Sequence, residues 1–191
     1  AQRAGVLDTN GKVLHPVTGT PQGGVVSPVL ANVYLHYVLD LWFEKRVKPR
    51  CRGQAYLCRY ADDFVAAFQH QEDAQKFYQE LPERLAKFHL EIAKDKTRLL
   101  RFNRFGDSGS FEFLGFEYRW GLDRKKRPCV QRRTAPKKFR GALKNFNAWC
   151  RTHRHLRARK LITLLNVKLR GYYNYYGVIG NYKRLAEYFH Y

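Results

Sequence analysis

The sequence predicts an α+β fold: an antiparallel sheet with helices on one face, followed by a small basic α-helical module. Three observations predict it. Runs of apolar and aromatic residues at 57–60 and 64–68 flank the adjacent aspartates Asp62 and Asp63, the pattern of two strands joined by a tight acidic turn. On either side of that turn apolar residues recur at three- and four-residue spacing, as in helices packed along one face. From residue 135 onward the strand pattern ends, and 13 Lys and Arg stand against the single acidic residue Glu187.

The chain has 191 residues, enough for one domain or for one domain with a small appendage, and for a sizeable core. Its 36 Lys and Arg against 16 Asp and Glu give a net charge of +20, which calls for a polyanionic partner. Aromatic residues at 15% suit base stacking as well as core packing. No apolar run reaches the length of a membrane span and no signal peptide opens the chain, so an intracellular, soluble protein without a membrane partner is expected. Cys51, Cys58, Cys129 and Cys150 have no C-x-x-C spacing and read as reduced, structural thiols.

Taken in order, Asn10-Gly11 is a turn pair between Val6-Leu7 and Val13-Leu14, predicting a small hairpin. In Pro21-Gln22-Gly23-Gly24 the paired glycines permit close backbone approach, and Gln22 offers a donor and an acceptor. Ser27-Pro28 reads as an N-cap with proline at the first helical position. A helix over 29–47 follows, its packed stripe formed by Leu30, Val33, Tyr34, Tyr37, Leu41 and Trp42, with Asp40 and Glu44 off the stripe and solvated. A second helix over 72–89 packs Ala74, Phe77, Leu81, Leu85 and Phe88, and Pro82 is expected to kink or split it. Segments 90–92 and 99–102 read as extended, joined by the polar Lys94-Asp95-Lys96-Thr97.

Residues 111–120 also read as extended, with Gly115 marking a close backbone approach inside a strand. The basic turn at 123–128 serves either phosphate contact or solubility and leads to a short strand through Val130. Three helices are predicted next, over 136–151, over 157–176 and from Asn181 onward. The second packs Leu161, Leu165, Leu169, Tyr172 and Tyr176 and carries Arg159, Lys160, Lys168 and Arg170 elsewhere, which would suit a nucleic-acid duplex.

The acidic turn carries the chemistry. Two adjacent carboxylates repel unless a cation lies between them. Magnesium takes hard oxygen ligands, commonly one or two carboxylates with substrate phosphates, so the pair suits metal-assisted phosphoryl or nucleotidyl transfer. Ala61 is small enough to leave the space beside the carboxylates open. An ordinary polar hairpin turn is the alternative for an isolated Asp-Asp pair.

Five motifs in order then resemble one family: Pro21-Gln22-Gly23-Gly24, Tyr60-Ala61-Asp62-Asp63, Lys96-Thr97, Phe113-Leu114-Gly115-Phe116, and Leu169-Arg170-Gly171-Tyr172-Tyr173-Asn174-Tyr175-Tyr176. Together they resemble the group II intron reverse transcriptase/maturase family over almost the whole chain. The resemblance implies a partial polymerase palm over 1–132 and a partial helical thumb or maturase region over 133–191. It implies that Asp62 and Asp63 hold catalytic magnesium, two ions in the complete site, with Lys96 near the triphosphate. It places Pro21, Gln22, Gly23, Gly24, Tyr60 and Ala61 at the nucleotide and template, and Phe113, Leu114, Gly115 and Phe116 at the primer grip.

The family's other catalytic carboxylate sits before the Pro-Gln-Gly-Gly loop, where only Asp8 is available and its surroundings do not match. The chain is therefore expected to be a fragment of a mobile-element protein, lacking the fingers and the first catalytic Asp and inactive by itself. The implied function is RNA-directed DNA polymerisation, with RNA template, intron RNA, DNA primer and deoxynucleoside triphosphates as partners. The alternative is a non-catalytic RNA-binding maturase. A bacterial cytoplasm, or an organelle, is the expected location.

Overall fold

The computed structural model describes residues 26–104 and 109–191, together with the backbone of two short strands nearer the start. Those strands, β1 (Val6–Leu7) and β2 (Val13–Leu14), pair antiparallel with Val6 opposite Leu14, as a hairpin requires. Asn10 and Gly11 lie outside the described residues. The chain divides into two compact units, Ala1–Leu99 and Leu100–Tyr191.

In the first unit, α1 (Ser27–Leu35) starts one residue before the expected position, with Val26 as its cap. It continues as a π-helical turn at His36–Asp40, a second at Phe43–Val47 and a 3₁₀ turn at Lys48–Arg50. A π turn takes more residues per revolution than an α turn, so each one rotates the following side chains about the axis. The buried positions are Val38, Leu39, Phe43 and Val47, whereas Leu30, Val33, Tyr34 and Tyr37 of the expected stripe remain exposed. Arg84 braces the first π turn, donating from Nε to the Val38 carbonyl at 3.0 Å while its guanidinium lies over the Phe88 ring at 4.4 Å.

Strands β3 (Ala55–Tyr60) and β4 (Asp63–Phe68) form an antiparallel hairpin in which Ala55 faces Phe68, Leu57 faces Ala66 and Arg59 faces Phe64. These six residues share one face of the pleat. Leu57, Phe64, Ala66 and Phe68 pack from that face on a core of Val38, Leu39, Phe43, Val47, Ala55, Phe77, Leu81 and Leu85. Helix α2 (Gln71–Ala86) supplies the last three and runs unbroken through Pro82. The proline ring is on the exposed side, and buried Leu81 and Leu85 anchor the helix on both sides of it, so the expected split does not occur.

Segment 90–92 does not form a strand either. Leu90 and Ile92 pack against the core without a ladder partner among the described residues, and apolar alternation alone cannot supply one.

The second unit holds a three-stranded antiparallel meander, β5 (Phe111–Phe113), β6 (Phe116–Leu122) and β7 (Pro128–Thr134). The expected single extended segment at 111–120 is therefore two strands joined by a turn at Leu114-Gly115, with Phe113 paired to Phe116. Both turn residues have positive φ, 50° and 77°, as a two-residue hairpin turn of type I′ demands. Phe102 is irregular, not in a strand, and packs on Phe111 and Trp120 at 5.1 and 5.7 Å.

Helices α3 (Pro136–His153), α4 (Ala158–Tyr176) and α5 (Tyr182–Phe189) follow at the expected places. Buried Asn181 joins them to the meander, its Oδ1 accepting from the Thr134 amide and its Nδ2 donating to the Thr134 hydroxyl and the Tyr176 carbonyl. The architecture is α+β, but the described strands form three separate small sheets and not the single sheet expected. Strands β3, β4, β5 and β7 each have a ladder neighbour on one side only among the described residues.

Candidate active site

The acidic turn is as tight as the sequence suggests. Tyr60 pairs with Asp63, leaving Ala61 and Asp62 as a two-residue loop. Ala61 sits at φ 53°, the left-handed region that primed hairpin turns require at their first loop position and that costs a non-glycine residue about 1 kcal/mol. Alternation along the strands places Asp63 with Tyr60, Cys58 and Tyr56 on the face opposite the core, and Tyr60 is 66% exposed. Both carboxylates are exposed, and neither takes part in a hydrogen bond or ion pair among the described residues.

What holds the turn was not evident from the sequence. Arg59, on the packed face and only 12% exposed, donates from Nε and Nη2 to the two Asp40 oxygens at 2.7 and 2.6 Å. Its Nη1 donates to Asn32 Oδ1 at 2.9 Å and to the Ala61 carbonyl at 2.8 Å. Asp40, expected to be solvated, is thus part of a forked ion pair. The π-helical turn that ends at Asp40 shifts the register from that of a regular helix, which explains the difference.

Hydrogen bonding from Arg59 holds the Asp40 carboxyl below its ordinary value of 3.8, and the carboxylate in turn raises the Arg59 guanidinium. His36 Nδ1 also reaches Asp40, at 3.3 Å. A carboxyl depressed in the folded state contributes stability that is complete above its unfolded value and is lost as pH falls through the folded one. Wild-type protein should therefore lose local stability as pH drops below about 4. Asp40→Asn should remove part of that slope in acid unfolding; equal slopes would exclude Asp40 as its source.

Lys96 is exposed on a turn closed by the Lys96 and Thr97 amides on the Ala93 carbonyl. No hydrogen bond or ion pair joins it to Asp62 or Asp63 among the described residues. Pro21, Gln22, Gly23, Gly24 and Asp8 lie outside the described residues. Asp62 and Asp63 do not form a cluster of three metal-ligating side chains with any other described residue. Two free carboxylates on an open turn are nevertheless a donor set that fits magnesium, which commonly takes one or two carboxylates and completes its shell with phosphates and water.

In the second unit, the Phe113 to Phe116 turn docks on α4. The Tyr175 hydroxyl donates to the Leu114 carbonyl at 2.9 Å, and Phe116 lies against Tyr175 and Tyr176 at 5.8 and 5.4 Å. A Cβ on Gly115 would stand 3.2 Å from the Tyr176 hydroxyl, so glycine meets both the positive φ and the close approach. Burial pushes the Tyr172 hydroxyl up to about 12, as expected for a packed ring. Arg159 and Lys160 are exposed and, with Arg157, Thr163 and Leu164, line an open groove of about 470 Å³. Arg170 is exposed as well, while Lys168 lies over the Trp149 ring at 5.7 Å. Arg157 and Thr163 were not picked out from the sequence, although their spacing from Lys160 is helical.

Residues 6–118, more than half of the chain, match the reverse transcriptase (RNA-dependent DNA polymerase) family. The chain belongs to that family. It is 26% identical to the group II intron-encoded protein LtrA of Lactococcus lactis subsp. cremoris over 270 aligned positions, which cover 99% of this chain and 44% of LtrA. This reverse transcriptase chain is thus similar, over nearly its whole length, to a group II intron-encoded protein. A 44-residue stretch, 23% of the chain, is 50% identical to an uncharacterized 91 kDa protein in the cob intron of Schizosaccharomyces pombe and covers 5% of that protein. The chain spans less than half the length of each of these relatives.

Proposed function

We propose that this chain forms palm and thumb parts of an RNA-directed DNA polymerase of a group II intron, with the palm in residues 1–132 and the thumb in residues 133–191. The observation that carries the reading is the pair of unpartnered carboxylates on the open face of the β3–β4 turn, in a chain of the reverse transcriptase family. Asp62 is the principal magnesium ligand and Asp63 its neighbour. Asp62 and Asp63 would hold magnesium, whose chemistry when bound would be to acidify the primer 3′-hydroxyl and to offset charge on the pyrophosphate leaving group. Two-metal chemistry would call for a further carboxylate beside this pair.

The remaining roles follow from charge and shape. Exposed Lys96 neutralises triphosphate charge. By resemblance to the family, Pro21, Gln22, Gly23 and Gly24, with Tyr60 and Ala61, serve the incoming deoxynucleoside triphosphate and template. The turn at Phe113 to Phe116, stiffened by Tyr175 and Tyr176, supports the DNA primer. Primer extension on an RNA template, with magnesium and the full-length protein, tests the reading. Extension supports it, whereas tight RNA binding with no extension under any divalent ion would favour a non-catalytic maturase.

The exposed cations of α4 favour RNA binding alongside polymerisation. Replacing Arg159 and Lys160 together by Ala should weaken RNA binding and reduce the slope of log affinity against log salt by about 1 to 2, because fewer counterions are released. A titration of RNA affinity against salt checks it, and an unchanged slope would assign both residues to a solvated face.

A further inference from the structure

We infer that Arg59, with Asp40 and Asn32, is a positioning residue for catalysis: its guanidinium fixes the turn that presents Asp62 and so sets the metal affinity of the site. The inference rests on the metal-binding reading above and adds to it residues that touch neither substrate nor metal.

One planar group makes all the connections. Two donors grip both oxygens of Asp40, and a third is shared between Asn32 on α1 and the carbonyl of Ala61. Ala61 immediately precedes Asp62, so holding its carbonyl restricts rotation of the peptide that leads into the metal-binding residue. The restraint matters here because Ala61 is held at φ 53°, a left-handed conformation that costs an alanine about 1 kcal/mol. Asp40 is itself anchored, since it ends a π turn whose Val38 and Leu39 are buried in the core. The chain of contacts therefore runs from the core through Asp40 and Arg59 to the turn.

A lysine could not replace this arrangement. Its ammonium keeps the charge but lacks the planar fork that binds a carboxylate with two parallel hydrogen bonds while donating elsewhere. Arg59→Lys thus separates geometry from electrostatics at Asp62. Groups that orient metal ligands without touching the metal commonly change metal affinity about 10- to 100-fold when altered.

The test uses the full-length protein bound to a primer and RNA template, with Mn²⁺ binding followed by electron paramagnetic resonance. Arg59→Lys should weaken Mn²⁺ about 10- to 100-fold. It should raise the Mg²⁺ needed for half-maximal extension by a similar factor, and extension should recover at high Mg²⁺ while primer-template affinity stays as in wild type. Amides of residues 61–63 should also exchange faster. Asn32→Ala, at an exposed position where folding is not at stake, should shift both readouts the same way by less. Unchanged Mn²⁺ affinity and exchange in both variants, with Asp62→Asn still losing the ion, would overturn the positioning role alone. Equal Mn²⁺ binding by wild type and Asp62→Asn would overturn the metal reading, and the proposal with it.

Discussion

Asp62→Asn should reduce primer extension by the full-length protein about a thousandfold or more, while RNA affinity stays within about twofold of wild type. Loss of one charged ligand from a metal that stabilises developing charge is worth several kcal/mol, and each 1.36 kcal/mol is about a factor of ten in rate. The substitution leaves the core packing intact, because Asp62 is exposed in a two-residue loop and makes no hydrogen bond or ion pair with another described residue. On the function proposed above, RNA affinity comes instead from the basic surface, which includes the exposed Arg159, Lys160 and Arg170. Steady-state extension and equilibrium RNA binding in one buffer check both halves. Extension at the wild-type rate would remove Asp62 from the metal site, and a parallel loss of RNA affinity would assign it a binding role.

Phe43→Ala should destabilise the first unit by about 3–5 kcal/mol, the usual cost of emptying an aromatic site in a core. Phe43 is 0% exposed and lies edge-on to both Phe68 and Phe77, at 5.9 and 5.7 Å. Phe68 belongs to β4, the strand that begins with Asp63, so the cavity would open beneath the acidic hairpin. Hydrogen exchange of the β3 and β4 amides reports this local stability. A loss below about 1 kcal/mol would mean that neighbouring rings close over the site.

The acidic hairpin, α2 and the three basic helices were legible because their signals are local. Alternation about Asp62-Asp63 and the spacing of Phe77, Leu81 and Leu85 report directly on which face is buried. Two features depended on the backbone instead. The π turns set which residues after Leu35 are buried, namely Val38, Leu39, Phe43 and Val47, and a pattern search that assumes a constant helical period cannot anticipate that register. The Leu114-Gly115 turn was hidden because a leucine at positive φ is rare; here Tyr175 compensates from 61 residues away by binding its carbonyl.

The site divides along the same line. Asp62 and Asp63 could be picked out from their chemistry, since adjacent carboxylates in a tight turn are costly without a cation. Arg59, Asp40 and Asn32 could not, because their link spans 19 and 27 residues and depends on a helix register that the sequence pattern misplaces. Arg59 did carry a usable signal: it is an arginine on the inward-facing side of a strand, and a buried guanidinium requires a carboxylate partner.

Iron-directed cleavage tests the central claim, that the Ala61-Asp62 turn holds the catalytic metal, most directly. Fe²⁺ in place of Mg²⁺, in the full-length protein with primer and RNA template bound, reduces added hydrogen peroxide to hydroxyl radicals that cut the chain beside the ion, with ascorbate returning Fe³⁺ to Fe²⁺. The account predicts cuts clustered within a few residues of Asp62, suppressed by excess Mg²⁺ and absent in Asp62→Asn. Cuts confined to another segment, or a pattern that Asp62→Asn leaves unchanged, would contradict it.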